Sequence, residues 1–370
     1  MQLPYSDQIN TGHLARLFDN TSECYKLFWF KAIVVKVREG KTVLSYEELI
    51  DKMITDAWYM VTEYHLNLGP NDTLEKVIIE IKKQYPELKP SEKETQIQKI
   101  VSSTDDKEIL KMKRTLTYNV PYHLLHPFLP GVKISGMNRT EFVSVSNQEK
   151  RILYYFDSLD GMNSRIVIHD EWAEYIKNNY EIILGWIEYH MIHYLQRRNP
   201  SVPGIADKLS PPEERKLDKV KKYWKLIMSY EPVIEIYNGQ ELSSTDISID
   251  HFVPWSYVAH DELWNLNPTT RKINSSKSNN LPDWDSYFNK LAAIEYQSYR
   301  LMWTNENVNS AFNNLAREHI NNEEVRARLY GKDGLSLCEF AKSLETVVYP
   351  VYKAAQECGF SSWEYKGTTE

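Results

Sequence analysis

An aspartate, a histidine and two asparagines lie within one short stretch of the 370-residue chain. Asp250 and His251 are adjacent, thirteen residues separate His251 from Asn265, and eight more separate Asn265 from Asn274. Carboxylate and amide oxygens are hard ligands that suit magnesium, and an imidazole that titrates near neutrality suits a general base. The four side chains therefore predict a hydrolytic centre with one metal ion and one histidine base.

Hydrolysis of a phosphodiester bond matches this set of groups. A water must lose a proton, and the negative charge that builds up on the phosphoryl and leaving oxygens must be neutralised; one base and one divalent cation supply both functions. Adjacent strand residues point to opposite sides of a sheet. Asp250 and His251 can therefore serve the metal and the water separately only if the strand ends or twists there, and Pro254 favours an end.

The elements around these residues predict the order strand, strand, helix. Two β-prone runs, 233–237 and 247–251, are joined through Asn238-Gly239, a pair typical of hairpin turns. A loop with Trp264 and Asn265 follows, and residues 269–278 are expected to form one or two helical turns.

On these residues the segment resembles the HNH endonucleases, which have the ββα-metal fold. The spacing of Asp-His and the two asparagines is that of the HNH domain of the CRISPR RNA-guided DNA nuclease, and the pattern Asn-x-x-Lys-x-Asn from Asn274 to Asn279 is common in the wider family. The resemblance implies that Asp250 and Asn274 are metal ligands and that His251 is the general base. It further implies that Asn265 braces the loop and that Lys277 contacts phosphate or supports the site.

The expected cofactor is Mg²⁺ or Mn²⁺, without a structural zinc. Many HNH proteins carry Cys-x-x-Cys at the knuckle between the strands, whereas this chain has Ile-Tyr-Asn-Gly at 236–239. We therefore expect packing, through Trp255 and Trp264, to hold the module together. The three cysteines, Cys24, Cys338 and Cys358, are scattered and are expected to be reduced, buried thiols.

The net charge and the local clusters of charge give opposite indications about nucleic-acid binding. A net charge of −7 argues against strong autonomous binding to DNA. Two local clusters are basic, however. The run 215–225 is either a nucleic-acid track or a solvated helix face. Arg271 and Lys272, beside the motif, and Asn279, at its end, are expected to contact nucleic acid.

The pattern of apolar residues predicts a mainly α protein with a small ββα-metal module, α+β overall. Only 13 glycines occur, and apolar residues recur at helical spacing. A hairpin is expected between 151–156 and 164–168, and a linker at 197–205. Helices are predicted at about 23–37, 45–65, 73–84, 170–197, 212–230, 284–302, 307–319 and 336–357.

The expected domains are a helical N-terminal region, 1–205, for regulation, targeting or partner binding; an HNH module with its leading basic helix, 206–290; and a helical segment packed on that module, 291–370.

Other residues leave alternatives open. His190 and His193, after Glu188, are either a second metal site or a buried or partner-facing pair. His260, with Asp261 and Glu262, either approaches the metal or is ordinary loop polarity. The abundant aromatic residues suit base stacking, but most are expected in the core, among them Trp58, Trp172, Trp186 and Trp224, together with Tyr175, Tyr180 and Tyr189.

Function follows as an expectation. The chain is predicted to be a cytoplasmic protein without a membrane segment that cuts DNA to leave 5′-phosphate and 3′-hydroxyl ends. Because one site cuts one strand, double-strand breaks would require a homo-oligomer or two successive nicks. A weaker resemblance, to bacterial proteins that end in an HNH domain, suggests anti-phage defence or restriction. The alternative is an effector subunit with little activity alone, which docks on an ATPase or sensor protein through its N-terminal region.

Overall fold

The structure is a computed structural model, and it describes residues 2–211 and 217–367. Helices account for most of these residues, and the described strands form three small sheets. This confirms the predicted mainly α class with a minor β component. The chain divides into two compact units, which are described separately. Unit 1 comprises Met1–Pro200 and Lys208–Pro211, and unit 2 comprises Ser201–Asp207 and Pro212–Glu370.

Unit 1 is a helical body with one small sheet. Its longest helices bury large aromatic side chains, including Trp29 on α2, Trp58 on α3 and Trp186 on α10. The helices in its described residues are α1 Thr11–Ala15, α2 Tyr25–Arg38, α3 Tyr46–Thr62, α4 Thr73–Gln84, α5 Glu94–Ser103, α6 Lys107–Leu116, α7 Val120–His123, α8 Arg139–Gln148, α9 Asp170–Asn178 and α10 Tyr180–Arg198.

The sheet of unit 1 confirms the hairpin predicted between 151–156 and 164–168 and adds a third strand. Strands β1 Val43–Ser45, β2 Tyr154–Ser158 and β3 Arg165–Ile168 lie in the order β1-β3-β2, and both pairings are antiparallel. Ser45 ends β1 and starts α3. Its hydroxyl accepts from the backbone N–H of Glu48, whose carboxylate accepts from the backbone N–H of Ser45, a reciprocal cap that fixes the start of the helix.

The helix predicted over 170–197 is two helices. Asn179 separates α9 from α10 with φ −119° and ψ 23°, and its side-chain amide donates to the carbonyl of Tyr175 at 2.9 Å. An asparagine that satisfies the last turn of a helix in this way competes with continued helical pairing. The apolar periodicity runs through both helices and therefore conceals the break.

Unit 2 contains the predicted centre and the C-terminal helices. Helix α13 packs against α14 and α16. The elements in its described residues are α11 Asp218–Tyr230, β4 Ser248–His251, β5 Leu266–Thr269, α12 Arg271–Lys277, β6 Leu281–Pro282, α13 Trp284–Thr304, α14 Glu306–His319, α15 Glu323–Tyr330, α16 Leu337–Glu357 and β7 Ser362–Trp363. Part of the helix predicted at 212–230, and the first residues of the basic run 215–225, lie at 212–216, outside the described residues.

The strand pairing predicted for the centre is wrong. The run 233–237 does not pair with 247–251; it turns back on itself through Asn238-Gly239, with a single bridge between Ile234 and Glu241. Strand β4 pairs instead with β5, antiparallel. Residues 266–269, which form β5 and include Pro268, lie in the stretch predicted as a loop. The short helix expected within 269–278 is confirmed as α12.

Expectations about single side chains are partly confirmed. Trp58, Trp172, Trp186 and Trp224 are buried, as is Tyr175, but Tyr189 is 43% exposed and Tyr180 is partly exposed. All three cysteines are free, but only Cys24 is buried; Cys338 is exposed and Cys358 is intermediate.

In the described residues, no helix has the length and apolar character required to cross a membrane.

Candidate active site

The centre is built on one face of the β4–β5 pair. Opposite residues of an antiparallel pair share a face, and in this register Ser248 lies opposite Thr269 and Asp250 opposite Asn267. These four polar side chains therefore line one face. His251 is directed to the other face, at the residue where β4 ends.

Pro268 is accommodated by the hydrogen-bond pattern of the same pair. The backbone N–H of Phe252 donates to the carbonyl of Asn265 at 2.9 Å. Hydrogen-bonded pairs alternate with non-bonded pairs in an antiparallel ladder, which places Pro268 and its partner Ile249 at a non-bonded position. The N–H that proline lacks is therefore not needed there.

Helix α12 is fastened to β4 by two of its side chains. Thr270 caps the helix by accepting from the N–H of Ile273. The Asn274 amide donates to the hydroxyl of Ser248 and to the carbonyl of Ile249, both at 2.9 Å. One turn later, the Lys277 ammonium donates to Asp250 Oδ1 at 3.1 Å and to the carbonyl of His251 at 2.7 Å.

Asp250 is a buried carboxylate held by two donors. It is 3% exposed, and its two oxygens accept from different donors, Oδ1 from Lys277 and Oδ2 from the Tyr237 hydroxyl at 2.5 Å. Burial lowers the pKa of Lys277 although Asp250 opposes the shift. Burial and the Asp250 charge raise the pKa of Tyr237 well above its usual value, so it stays a hydrogen-bond donor.

Glu235 stabilises the turn at 236–239, the stretch in which many HNH proteins carry knuckle cysteines. Its carboxylate accepts from the backbone N–H groups of Tyr237 at 2.9 Å and Asn238 at 2.7 Å. The other oxygen accepts from the Thr269 hydroxyl at 2.8 Å. One buried side chain thus closes the turn and joins it to β5, and it places Tyr237 against Asp250.

His251 is oriented by a second carboxylate. Its Nε2 lies 2.7 Å from Asp261 Oδ1, and the imidazole is buried, with 6% exposure. The carbonyl of Asp261 is in turn 2.7 Å from Nδ1 of His319, at the end of α14. A carboxylate bonded to an imidazole fixes the ring orientation and stabilises the imidazolium that forms when the ring accepts a proton.

Asn265 closes the loop between the two strands. Its amide oxygen accepts from the N–H of Val253 at 2.7 Å, and its amide nitrogen donates to the carbonyl of the same residue at 2.9 Å. The side chain is fully buried. These two hydrogen bonds to the backbone of Val253 hold the chain directly after His251.

The three residues expected to contact nucleic acid differ in their surroundings. Arg271 and Lys272 are exposed at the start of α12. Asn279 is half-buried, and its amide oxygen accepts from the Ser256 hydroxyl. Two cations are thus presented to solvent beside the centre, whereas Asn279 also has a structural contact.

His190, His193 and His260 show no metal-binding arrangement in the described residues. His190 of unit 1 packs against the rings of Phe18 and Trp186, and His193 packs against Tyr189. His260 is exposed. Within residues 2–211 and 217–367 there is no group of three or more His, Cys, Asp or Glu side chains suited to a metal ion, which leaves the second metal site without support.

The donor set around Asp250 fits magnesium or manganese. Each carboxylate oxygen carries two lone pairs, so both oxygens of Asp250 retain acceptor capacity beside Lys277 and Tyr237. The bonds to Ser248 and Ile249 use the amide nitrogen of Asn274, which leaves its oxygen for a ligand. Magnesium is typically held by one or two protein oxygens and keeps several waters.

Three supporting residues were missed by sequence reasoning. Asp261 belongs to the loop group around His260, which the sequence leaves open between approach to the metal and loop polarity, and the sequence assigns it no role. Glu235 and Tyr237 are part of the predicted strand 233–237, and Tyr237 lies within the stretch that stands in place of the knuckle Cys-x-x-Cys. No local pattern identifies Glu235, because its partner Thr269 is 34 residues away.

Comparison with known proteins supports the assignment of the centre. Residues 235–283 match the family described as HNH endonuclease. The match confirms the family resemblance, and it covers the Glu235 turn, both strands and α12. No curated protein and no solved structure gave a significant match to the chain.

Proposed function

We propose that the chain is a metal-dependent endonuclease that hydrolyses DNA at the centre formed by β4, β5 and α12. The observation that carries the proposal is the joint placement of Asp250, Asn274 and the His251–Asp261 pair on elements that match the HNH endonuclease family. A divalent cation held by Asp250 and Asn274 would neutralise charge on the scissile phosphate and the leaving oxygen.

In this proposal His251 removes the proton from the attacking water. Asp261 keeps the ring in place and stabilises the imidazolium that results. In-line attack with departure of the 3′ oxygen leaves 5′-phosphate and 3′-hydroxyl ends.

The remaining residues of the centre have positioning or binding roles. Lys277 is fully buried, which favours support of Asp250 and of the end of β4 over contact with phosphate. Asn265 holds the backbone that follows His251. Arg271 and Lys272, which are exposed at the start of α12, bind the phosphate backbone, and Asn279, just beyond the other end of the helix, contributes a further contact.

In this proposal, unit 1 has a function separate from cleavage. It forms a compact unit of its own, and the family match lies outside it. We propose that it targets or restrains the nuclease, through a protein partner or a second copy of the chain. A role in bacterial anti-phage defence or restriction would suit such an arrangement and rests on sequence resemblance.

A plasmid-cleavage assay tests the proposed activity. Supercoiled plasmid and an RNA of matched sequence are incubated with the full chain in Mg²⁺, Mn²⁺ or EDTA. We expect nicked or linear plasmid with either metal, intact plasmid in EDTA and intact RNA. Cleavage of the RNA alone would move the substrate assignment to RNA, and intact plasmid with both metals would contradict autonomous DNA cleavage.

A further inference from the structure

Asn267 is the least explained polar residue of the centre. It lies on β5 directly opposite Asp250 and is completely buried. Its amide oxygen lacks a hydrogen-bond partner among the described residues, and its amide N–H reaches only the hydroxyl oxygen of Tyr237. Buried polar groups are almost always paired with protein or with ordered water, so an unpaired amide oxygen requires a specific explanation.

The neighbours on the same face show that the situation is particular to Asn267. Ser248 accepts from Asn274, and Thr269 donates to Glu235. Asp250 accepts from Lys277 and from Tyr237. Of the four polar side chains that β4 and β5 place on this face, Asn267 is the one whose oxygen has no partner among the described residues.

The two nearby donors are committed elsewhere. The Tyr237 hydroxyl oxygen accepts from the Asn267 amide N–H, and its proton is donated to Asp250 at 2.5 Å. The Lys277 ammonium is directed to Asp250 and to the carbonyl of His251. The amide oxygen of Asn267, on the strand opposite Asp250, therefore has no donor directed at it among the described residues.

Side-chain propensity also argues against a purely structural role. A β-branched residue is favoured in a buried strand, and asparagine is disfavoured there. A valine at this position would bury no polar atom. The chain instead places an oxygen acceptor next to the carboxylate at which the proposed function requires a cation.

We infer that Asn267 is a further residue of the metal centre, whose amide oxygen faces the hydrated divalent cation held at Asp250. This inference rests on the proposed function, since it requires that a cation binds there. An amide oxygen is a ligand type that magnesium and manganese accept, directly or through one of their waters. Asn267 would then be a positioning residue for the cation, added to Asp250 and Asn274 from the opposite strand.

Calorimetric titration of the full chain with Mn²⁺ or Mg²⁺ alone tests the inference without reference to activity. In Asn267→Val we expect the cation affinity to fall about 10- to 100-fold, the usual cost of removing a supporting group from a metal site. The thermal midpoint of the metal-free protein should be unchanged or higher, because an unpaired buried amide oxygen is removed. Wild-type affinity in a folded Asn267→Val variant would overturn the inference and would identify the amide as the partner of a structural water.

Two further variants keep the outcome interpretable. Thr269→Val removes a polar atom from the same face that is already paired, so it should lower stability and leave cation affinity unchanged; an equal loss of affinity in this control would also overturn the inference. Asn267→Asp preserves size and adds a carboxylate. It should bind the cation more tightly than the wild type and be less stable without it, and weaker binding would count against the inference.

The design separates this inference from the proposed function. If the wild type binds the cation and Asp250→Asn abolishes binding while Asn267→Val does not reduce it, only the role of Asn267 is wrong. If the wild type binds neither Mg²⁺ nor Mn²⁺, the metal dependence of the proposed function is wrong, and the role inferred for Asn267 is then wrong as well.

Discussion

Nε2 of His251 lies 2.7 Å from Oδ1 of Asp261, across a loop that connects the two strands of the centre. Two residues outside the matched segment 235–283 hold this loop in place. His319 contacts the carbonyl of Asp261 at 2.7 Å, and the Asn321 amide donates to Glu262 at 2.9 Å. The orientation of the proposed base therefore depends on the connection between α14 and α15, far from the motif in sequence.

Replacing Asp261 with asparagine tests this relationship. The amide cannot stabilise an imidazolium as a carboxylate does, so we expect plasmid cleavage to slow by about tenfold or more, up to the roughly 10²–10⁴-fold that a general base contributes. Initial rates under saturating Mg²⁺ measure the effect. Glu262→Gln is the matched control, because it changes the same loop and retains an acceptor for Asn321. If Asp261→Asn cleaves plasmid at the wild-type rate, the Asp261 carboxylate does not assist His251.

The Lys277–Asp250 pair should contribute strongly to stability. Lys277 is fully buried, and Asp250 is 3% exposed. Lys277→Met leaves the carboxylate without its cation in a buried site and should cost about 3–5 kcal/mol in free energy of unfolding. Urea denaturation monitored by tryptophan fluorescence measures the loss. Lys272→Met, on the exposed side of α12, should unfold at the wild-type urea concentration, and an equally stable Lys277→Met would show that the pair is not structural.

Glu295 should make stability depend on pH. It is fully buried on α13, and burial raises its pKa well above the usual value. The folded state then keeps a proton that the unfolded chain releases above about pH 4.3. The free energy of unfolding should therefore decrease as pH rises above this value.

Glu295→Gln should remove this dependence. The variant should be more stable than the wild type at pH 8, on the order of 1–3 kcal/mol, and the difference should shrink towards pH 4. Thermal denaturation between pH 4 and pH 8 measures it. Glu345→Gln, at an exposed position of α16, is the control and should track the wild type. A constant difference across the range would mean that the Glu295 carboxyl is not the titrating group.

Much of the fold follows from local patterns. The long helices and the hairpin of unit 1 are visible because periodicity, caps and turns act over a few residues, as at Ser45 and Glu48. The break at Asn179 and the partner strand of β4 are not visible in such local patterns. The break follows from one side-chain contact between Asn179 and Tyr175 that apolar periodicity does not reveal, and the β4–β5 pairing joins residues 15 to 21 positions apart.

The candidate site divides in the same way. Asp250, His251, Asn265 and Asn274 could be identified because the motif fixes their types and spacing. Glu235, Tyr237 and Asp261 act through contacts with residues 10 to 34 positions away. Sequence spacing does not encode such contacts, so only the folded chain identifies these side chains as supports of the centre.

Arg271 and Lys272 should determine part of the salt dependence of DNA binding. Each phosphate contact contributes about one unit to the slope of log affinity against log salt concentration. In a His251→Ala background, changing both residues to alanine should reduce the slope by about two units. Fluorescence anisotropy with a labelled duplex measures it. Lys342→Ala, exposed on α16, should leave the slope unchanged, and an unaltered slope in the double variant would place the DNA on another surface.

The central claim is that His251 activates water for phosphodiester hydrolysis. Plasmid cleavage by purified His251→Ala under Mg²⁺, compared with the parent protein and with circular dichroism as the check on folding, tests it most directly. The account predicts a correctly folded variant whose cleavage rate falls by about 10²–10⁴-fold, the contribution of a general base. A folded His251→Ala variant that cuts as fast as the parent would contradict it.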